Sequence, residues 1–326
     1  MPEFGKSVQF DKTGPTIVMS QLKGKAVLVI FFQSWCGICN GWAPDLIKQL
    51  EEAHGGNRTL VMLALKTDGG GVTEAKEYLK SKGADLNKWW VGSDEDAAYY
   101  KKIEPKNALW GYALVGATGD IVKQGKAGSF WSSGPNKGKY SLASSDLLKE
   151  CGTLETVLPA DKKYPSELDP IVRLAEVGCL GKALSLCASA GRLSQAAAAA
   201  QKDLKQDILL AAETRMRARM DTLKDAKSDG GMRYEACKEL AVLVKDCAAV
   251  SVAREAQTLV TKASADPIIQ KEKTAEAAYV KALQNLQKAI ARDKPRVLKE
   301  LESVSKKYEG TLYGQRAGEE FLAHQP

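Results

Sequence analysis

The sequence predicts two fold classes in series: an α/β part with a mixed sheet flanked by helices, then an all-α part of helical hairpins. Three observations predict it. In the first half, short apolar runs rich in Val, Ile, Leu and Phe alternate with stretches of helical spacing. After "LPADKKYPSELDP", alanine and leucine dominate, with Lys, Glu and Gln between, and no strand pattern survives. Two later segments, starting at Lys238 and Lys299, align without a gap at an offset of 61 residues.

The elements follow in order. "AVLVIFF", residues 26–32, reads as a buried strand after a turn at Gly24-Lys25. Ile38, Trp42, Leu46 and Leu50 then recur at i, i+4 spacing, which is a helix face, with Gly55 placed to stop it. Pro44 lies inside that helix and removes one backbone donor. "TLVMLALKTD" is a second buried strand, and the glycines 69–71 make a turn. "VTEAKEYLKSKG" is a short helix closed by Gly83, and "KWWVGSD" a short strand. Ser93 is the expected N-cap of the helix in "SDEDAAYYKKI", with acids in its first turn. "GYALVGATGDIVKQGKAG" reads as a hairpin turning at Thr118-Gly119, and "SSDLLKECG" as a closing helix.

Pro165 and Pro170 mark a break, so the expected organisation is residues 1–157, a linker over 158–170, and a helical part over 171–326. The stretch from Ala196 to Lys227 reads as one long helix broken at "SDGG". In the repeat, Cys247 meets Tyr308, Ala256 meets Ala317 and Val260 meets Phe321, each copy reading as helix, tight turn and helix. This is similar to helical-hairpin repeats of the tetratricopeptide kind, though the spacing is not theirs. Stacked hairpins suit a protein partner; a bundle that self-associates or props the first domain is the other reading.

The chain has 326 residues, 44% hydrophobic and 27% charged, the balance of a globular protein with room for two cores. Its net charge of +7 divides into +2 over residues 1–158 and +5 over the rest, with no dense basic block, so nucleic-acid binding is not expected. No apolar run approaches the roughly 20 residues of a membrane-spanning helix. The first residues lack the apolar core of a signal peptide, which leaves an intracellular protein, or a periplasmic or secreted one that has lost its leader. The seven cysteines, at 36, 39, 151, 179, 187, 237 and 247, are odd in number and do not form a disulfide framework. Cys151 and the four after it read as small core residues in helices. Cys237 and Cys247 on one helix would stand about 15 Å apart, too far to bridge. Of the two histidines, His54 and His324, the first is expected as a solvated helix end.

Chemistry concentrates in "SWCGIC", at the junction of the first strand and the first helix. A thiol attacks a disulfide only as thiolate, and a helix N-terminus stabilises that anion with unpaired N–H groups and partial positive charge. Cys36 at that end is the expected nucleophile, and Cys39, one turn deeper, the resolving thiol. Trp35 would cover the site. A structural disulfide is the plainer alternative. A metal clip is the third: two thiolates are half a zinc site, and no second CxxC or His pair completes it.

The stretch "LKGKAVLVIFFQSWCGIC", Pro44, "LALKTD" and "ALVGATGDIVKQG" together resemble the thioredoxin superfamily, in particular TlpA-like thiol-disulfide oxidoreductases of the redoxin kind, over roughly residues 8–157. The resemblance implies a thioredoxin-like fold and thiol-disulfide exchange with protein thiols and disulfides, with no cofactor and no metal. It places Trp35, Gly37 and Ile38 around the dithiol and Pro44 near it. The sequence departs from the family at three places. The position of the family's cis-proline falls on Trp110 or Gly111, which therefore border the expected substrate groove. The buried acid six residues before the first cysteine is Ile30, and the glutamate three after the second is Trp42. A peroxidatic site would want proline and Thr or Ser where Val29 and Gln33 stand, so peroxidase activity is disfavoured. A non-catalytic interaction scaffold is the rival to the enzyme.

Overall fold

The computed structural model describes residues 4, 8–11, 17–103, 110–126, 154–189, 191, 193–225, 227–289 and 293–324. The helix expected over "SSDLLKECG", with Trp131 and Cys151, lies outside these residues, as do the side chains of Ile38 and Cys39. The chain divides into two compact units, residues 1–208 and 209–326.

The first unit is built on a mixed six-stranded sheet. Its strands are β1 (Val8–Phe10), β2 (Ala26–Phe32), β3 (Leu60–Lys66), β4 (Trp90–Asp94), β5 (Gly111–Val115) and β6 (Ile121–Lys126), in the spatial order β1-β4-β3-β2-β5-β6. Strands β2, β3 and β4 run parallel, and β1, β5 and β6 pair antiparallel. Every residue of β2 and β3 is buried, as continuous apolar runs in a two-sided sheet require. Helix α1 (Gly37–His54) crosses from β2 to β3, burying Ala43, Leu46, Ile47 and Leu50 on one face. Each buried leucine contributes about 1.5–3 kcal/mol. Helices α2 (Gly71–Ser81) and α3 (Ala98–Ile103) follow. Strand β6 is exposed along most of its length and forms one edge among the described residues.

Two expectations need correction here. Ser93 does not cap α3: strand β4 runs on through Asp94, whose carboxylate takes the Tyr100 N–H at 2.8 Å, and the first turn of α3 holds no acid. His54 is 2% exposed rather than solvated. The chain folds back at once through Gly55 and Gly56, with Asn57 N–H bonded to the His54 carbonyl at 2.8 Å, and this covers the helix end.

The other face of the sheet carries Val27, Val29, Phe31, Leu63, Leu65 and Tyr99, with Val177 and Cys179 packed on it. These last two follow helix α4 (Asp169–Glu176), which has Pro170 in its first turn and precedes α5 (Leu180–Ser189). An ion cluster fastens α4 to the sheet. Glu176, 5% exposed, accepts from Lys25 Nζ at 2.8 Å, from Arg58 Nε at 2.8 Å and from the Val157 N–H at 2.7 Å.

Helix α6 (Gln195–Lys224) is the long helix read from the sequence, and the next one starts after the "SDGG" break. The second unit holds α7 (Gly230–Asp246), α8 (Ala253–Ser264), α9 (Pro267–Lys288), α10 (Lys294–Lys307) and α11 (Leu312–Ala323). Helices α7 and α8 pack as one hairpin, and α10 and α11 as another. Cys247 and Tyr308 each cap the first helix of a hairpin, and Ala256 and Ala317 are both fully buried at the crossing. Asp229, Asp266 and Thr311 cap α7, α9 and α11 with side-chain oxygens. A polar knot joins α7, α9 and α11: the Tyr313 hydroxyl lies 2.6 Å from Glu235 and 2.7 Å from Glu276, and Tyr234 donates to Glu276 at 2.5 Å.

Candidate functional site

Strand β2 ends at Phe32, and four residues later Cys36 stands immediately before the first residue of α1. Its carbonyl accepts the Asn40 N–H at 3.0 Å, the first i, i+4 bond of the helix, so Cys36 occupies the N-cap position. Cys36 is 3% exposed and is disulfide-bonded. The first turn of α1 contains no acid, so no side-chain charge there opposes the positive end of the helix. Trp35, next to it, is 63% exposed, and Gly37 is exposed as well.

Beneath the loop lies an aromatic cluster. Trp110 is buried and packs on Phe32 at 5.5 Å and edge-on against Trp42 at 5.2 Å, while Tyr78 stacks on Phe32 at 5.2 Å. The Gln33 carbonyl accepts from both the Cys36 N–H and the Trp110 indole N–H, each at 3.4 Å. Trp110 thus holds the loop from below, and Gly111 begins β5 beside β2, paired with Phe31. Ile30 is buried in the same core face, and Pro44 lies half-buried within α1.

Polar groups that sequence reading missed brace the loop from the β3 side. Asp68 accepts from the Ser34 N–H at 2.9 Å and from the Ser34 hydroxyl at 2.7 Å. Lys66, the last residue of β3 and 1% exposed, lies 2.9 Å from Asp68 and 3.0 Å from Glu74 and bonds the Gly69 carbonyl. Glycines 69, 70 and 71 all have φ between +72° and +82°, which only glycine adopts without cost, and so the turn brings Asp68 back over Lys66. Burial works against the charge of both groups. For Asp68, the hydrogen bonds from Ser34 and Lys66 outweigh it and hold the carboxyl below its usual range. For Lys66, the bonds to Asp68 and Glu74 outweigh it and raise the ammonium. Asn40 donates to the Ser34 carbonyl at 3.2 Å and accepts from the Tyr78 hydroxyl. Burial, with the Asp68 charge nearby, pushes the Tyr78 phenol up to about 12. The one available signal was a lysine ending an apolar strand run just before "TDGGG".

Among the described residues no group of three or more His, Cys, Asp or Glu stands close enough to hold a metal ion. No helix is long and apolar enough to cross a membrane. Cys187, Cys237 and Cys247 are free thiols, and burial pushes Cys247 up to about 11, away from reactivity.

A βαβ unit with a parallel β2-β3-β4 core, an antiparallel β5-β6 hairpin and flanking helices is a thioredoxin-like α/β fold, followed here by an all-α region. Residues 1–133 match the family model described as Redoxin. Among solved structures, the chain is similar to a candidate protein disulfide isomerase from Bacteroides thetaiotaomicron, at 24% identity over 38% of this chain and 75% of that one, with a TM-score of 0.32. It is also similar to the exposed lipoprotein thioredoxin of Streptococcus pneumoniae, at 26% identity over 38% and 89% of the two chains, TM-score 0.30. The thioredoxin domain of a Bacteroides vulgatus thiol-disulfide oxidoreductase aligns at 21% identity over 38% and 83%, TM-score 0.30. No curated protein matches.

Proposed function

We propose that this chain is a thiol-disulfide oxidoreductase acting on protein disulfides, with Cys36 as nucleophile and Cys39 as resolving thiol. The observation that carries the reading is Cys36 at the N-cap of α1, engaged in a disulfide, beside an exposed tryptophan. In the reducing direction, the Cys36 thiolate attacks one sulfur of the substrate disulfide and the other sulfur leaves as a thiolate. The Cys39 thiolate then attacks Cys36 Sγ, the substrate's second thiolate departs, and the protein is left oxidised by two electrons. The helix N-terminus stabilises the attacking anion, and the Ser34–Asp68 bonds hold the loop that presents it. Trp35 covers the site from outside, with Gly37 and Ile38 spacing the dithiol. The helical region selects the protein partner or pairs two copies.

A non-catalytic scaffold is the second reading. It is favoured by bulk rather than proline at Trp110, and by Ile30 and Trp42 where the family has acids, which leaves fewer groups to move a proton. Thiol trapping across a glutathione redox series, read by mass with Cys36→Ser as control, separates the two. A reversible two-electron midpoint that disappears in Cys36→Ser is expected, and its value tells reductant from oxidant. No change at any poise leaves the scaffold.

A further inference from the structure

Ile30 and Trp42 stand where the family has acids beside the cysteine pair, yet an acid reaches the pair from another strand. We propose that Asp68 sets the acidity of Cys36: its carboxylate, bound two residues ahead of the nucleophile, opposes the thiolate and biases the pair towards giving up electrons. The inference rests on the oxidoreductase reading for its purpose, but thiol acidity is measurable without turnover.

Asp68, whose side chain is 11% exposed, accepts from Ser34 twice, from the backbone N–H at 2.9 Å and from the hydroxyl at 2.7 Å. Ser34 and Cys36 are two residues apart, so their Cα atoms stand at most about 7.6 Å from one another. The carboxylate therefore lies within about 12 Å of the Cys36 Cα. Its field also meets the far flank of the dithiol. Tyr78 donates to Asn40, the residue directly after Cys39, and it holds its proton through burial first and the Asp68 charge second. The charge around the loop leans negative. Among the described residues the cation paired with Asp68 is Lys66, and Lys66 is shared with Glu74. The exposed Glu95 stands beside the same glycine turn, at Gly71. From Gln33 to Ile47 the chain holds no Lys, Arg or His. Strongly acidic thiols sit beside such cations, and the segment that carries this dithiol supplies none, so the helix N-terminus meets Asp68 without a side-chain ally from that segment.

An elementary charge about 12 Å away, at an effective dielectric of about 20, moves a pKa by about one unit. A less acidic Cys36 holds less thiolate in the reduced form, and so the dithiol loses stabilisation and becomes the better electron donor. Two electrons and the two thiol protons pass to a protein disulfide, which becomes two thiols while Cys36 and Cys39 close. A dithiol of lower potential then reopens the pair.

The test is the pH dependence of iodoacetamide alkylation at Cys36 in the reduced full-length protein, read by peptide mass. Asp68→Asn is expected to lower the Cys36 midpoint by about one pH unit, and the half-exposed Glu74, changed to Gln, by about 0.3. The glutathione midpoint of Asp68→Asn should move towards that of an oxidant. Ser34→Ala removes a brace of the loop but keeps the charge, and its alkylation midpoint is expected within about 0.2 of the parent. No fall in Asp68→Asn, or an equal fall in Ser34→Ala, overturns the proposal. Circular dichroism checks that each variant is folded; should Asp68→Asn not fold, Glu74→Gln decides, and an unmoved midpoint there overturns the proposal as well. A parent with no reversible glutathione midpoint sinks the oxidoreductase reading, while the alkylation midpoints still decide the role of Asp68.

Discussion

Replacing Glu176 by glutamine tests how the sheet holds helix α4. The carboxylate sits 2.8 Å from the ammonium of Lys25, itself 4% exposed, and accepts from Arg58 and from the Val157 N–H. The amide keeps the shape but removes the charge and turns one acceptor into a donor facing donors. Removing one partner of a buried ion pair costs about 3–5 kcal/mol, because the remaining charge stays desolvated. With a urea slope of about 2–3 kcal/mol per molar, the midpoint should fall by about 1–2 M. Tryptophan fluorescence is the right assay, since the tryptophans among the described residues, at 35, 42, 89, 90 and 110, belong to the unit that contains Glu176. Lys25→Met alone removes one of the acid's two cationic partners and leaves Arg58. The pair Lys25→Met with Glu176→Gln should lose less than the sum of the two single changes, by about 1–3 kcal/mol. A midpoint shift below about 0.3 M, or strict additivity, would refute the claim that this cluster is a coupled buried ion pair.

Three further outcomes follow from the loop network. Asp68 has a folded pKa below its unfolded value, so its contribution to stability is complete above the unfolded value near ~4 and is lost as pH falls through the folded one. Acid titration of Asp68→Asn should therefore show a flatter low-pH limb than the parent. Tyr78 is raised to about 12, so the fold holds its proton more tightly than the unfolded chain and loses stability as pH climbs from ~10 towards 12. Tyr78→Phe should remove that alkaline slope, measured by urea midpoints across the range. Trp110→Ala should cost about 3–5 kcal/mol by cavity formation, and should also raise the alkylation rate of reduced Cys36, because the loop loses its bond from below.

Much of the first unit could be read directly. Strands β2 and β3 were legible because a two-sided sheet demands unbroken apolar runs, and α1 because its buried face repeats every turn. The hairpin turned where Gly119 adopts φ +93°. Strand β1 was not legible: three residues carry no period, and only pairing with β4 makes them a strand. Ser93 misled because local cap preference lost to strand pairing, which is a tertiary effect. His54 misled because burial at a helix end depends on where the chain turns next. The cysteine junction stood out from spacing alone, but its supports did not. Ser34 and Asp68 are 34 residues apart, Tyr78 and Asn40 are 38 apart, and Glu176 lies 151 residues from Lys25. No local pattern announces partners at such distances.

The exposed strand β6 has a consequence for how the molecule meets copies of itself. Among the described residues no strand pairs its outward edge, which offers a template on which another strand can lie, and Ile121 and Val122 are the kind of residues that reward such growth. Lys123 and Lys126 stand in the same short stretch. Two such edges laid side by side would bring like charges together along their length. The lysines act as gatekeepers: they tax any sheet-to-sheet extension, and salt, by screening them, relaxes that guard.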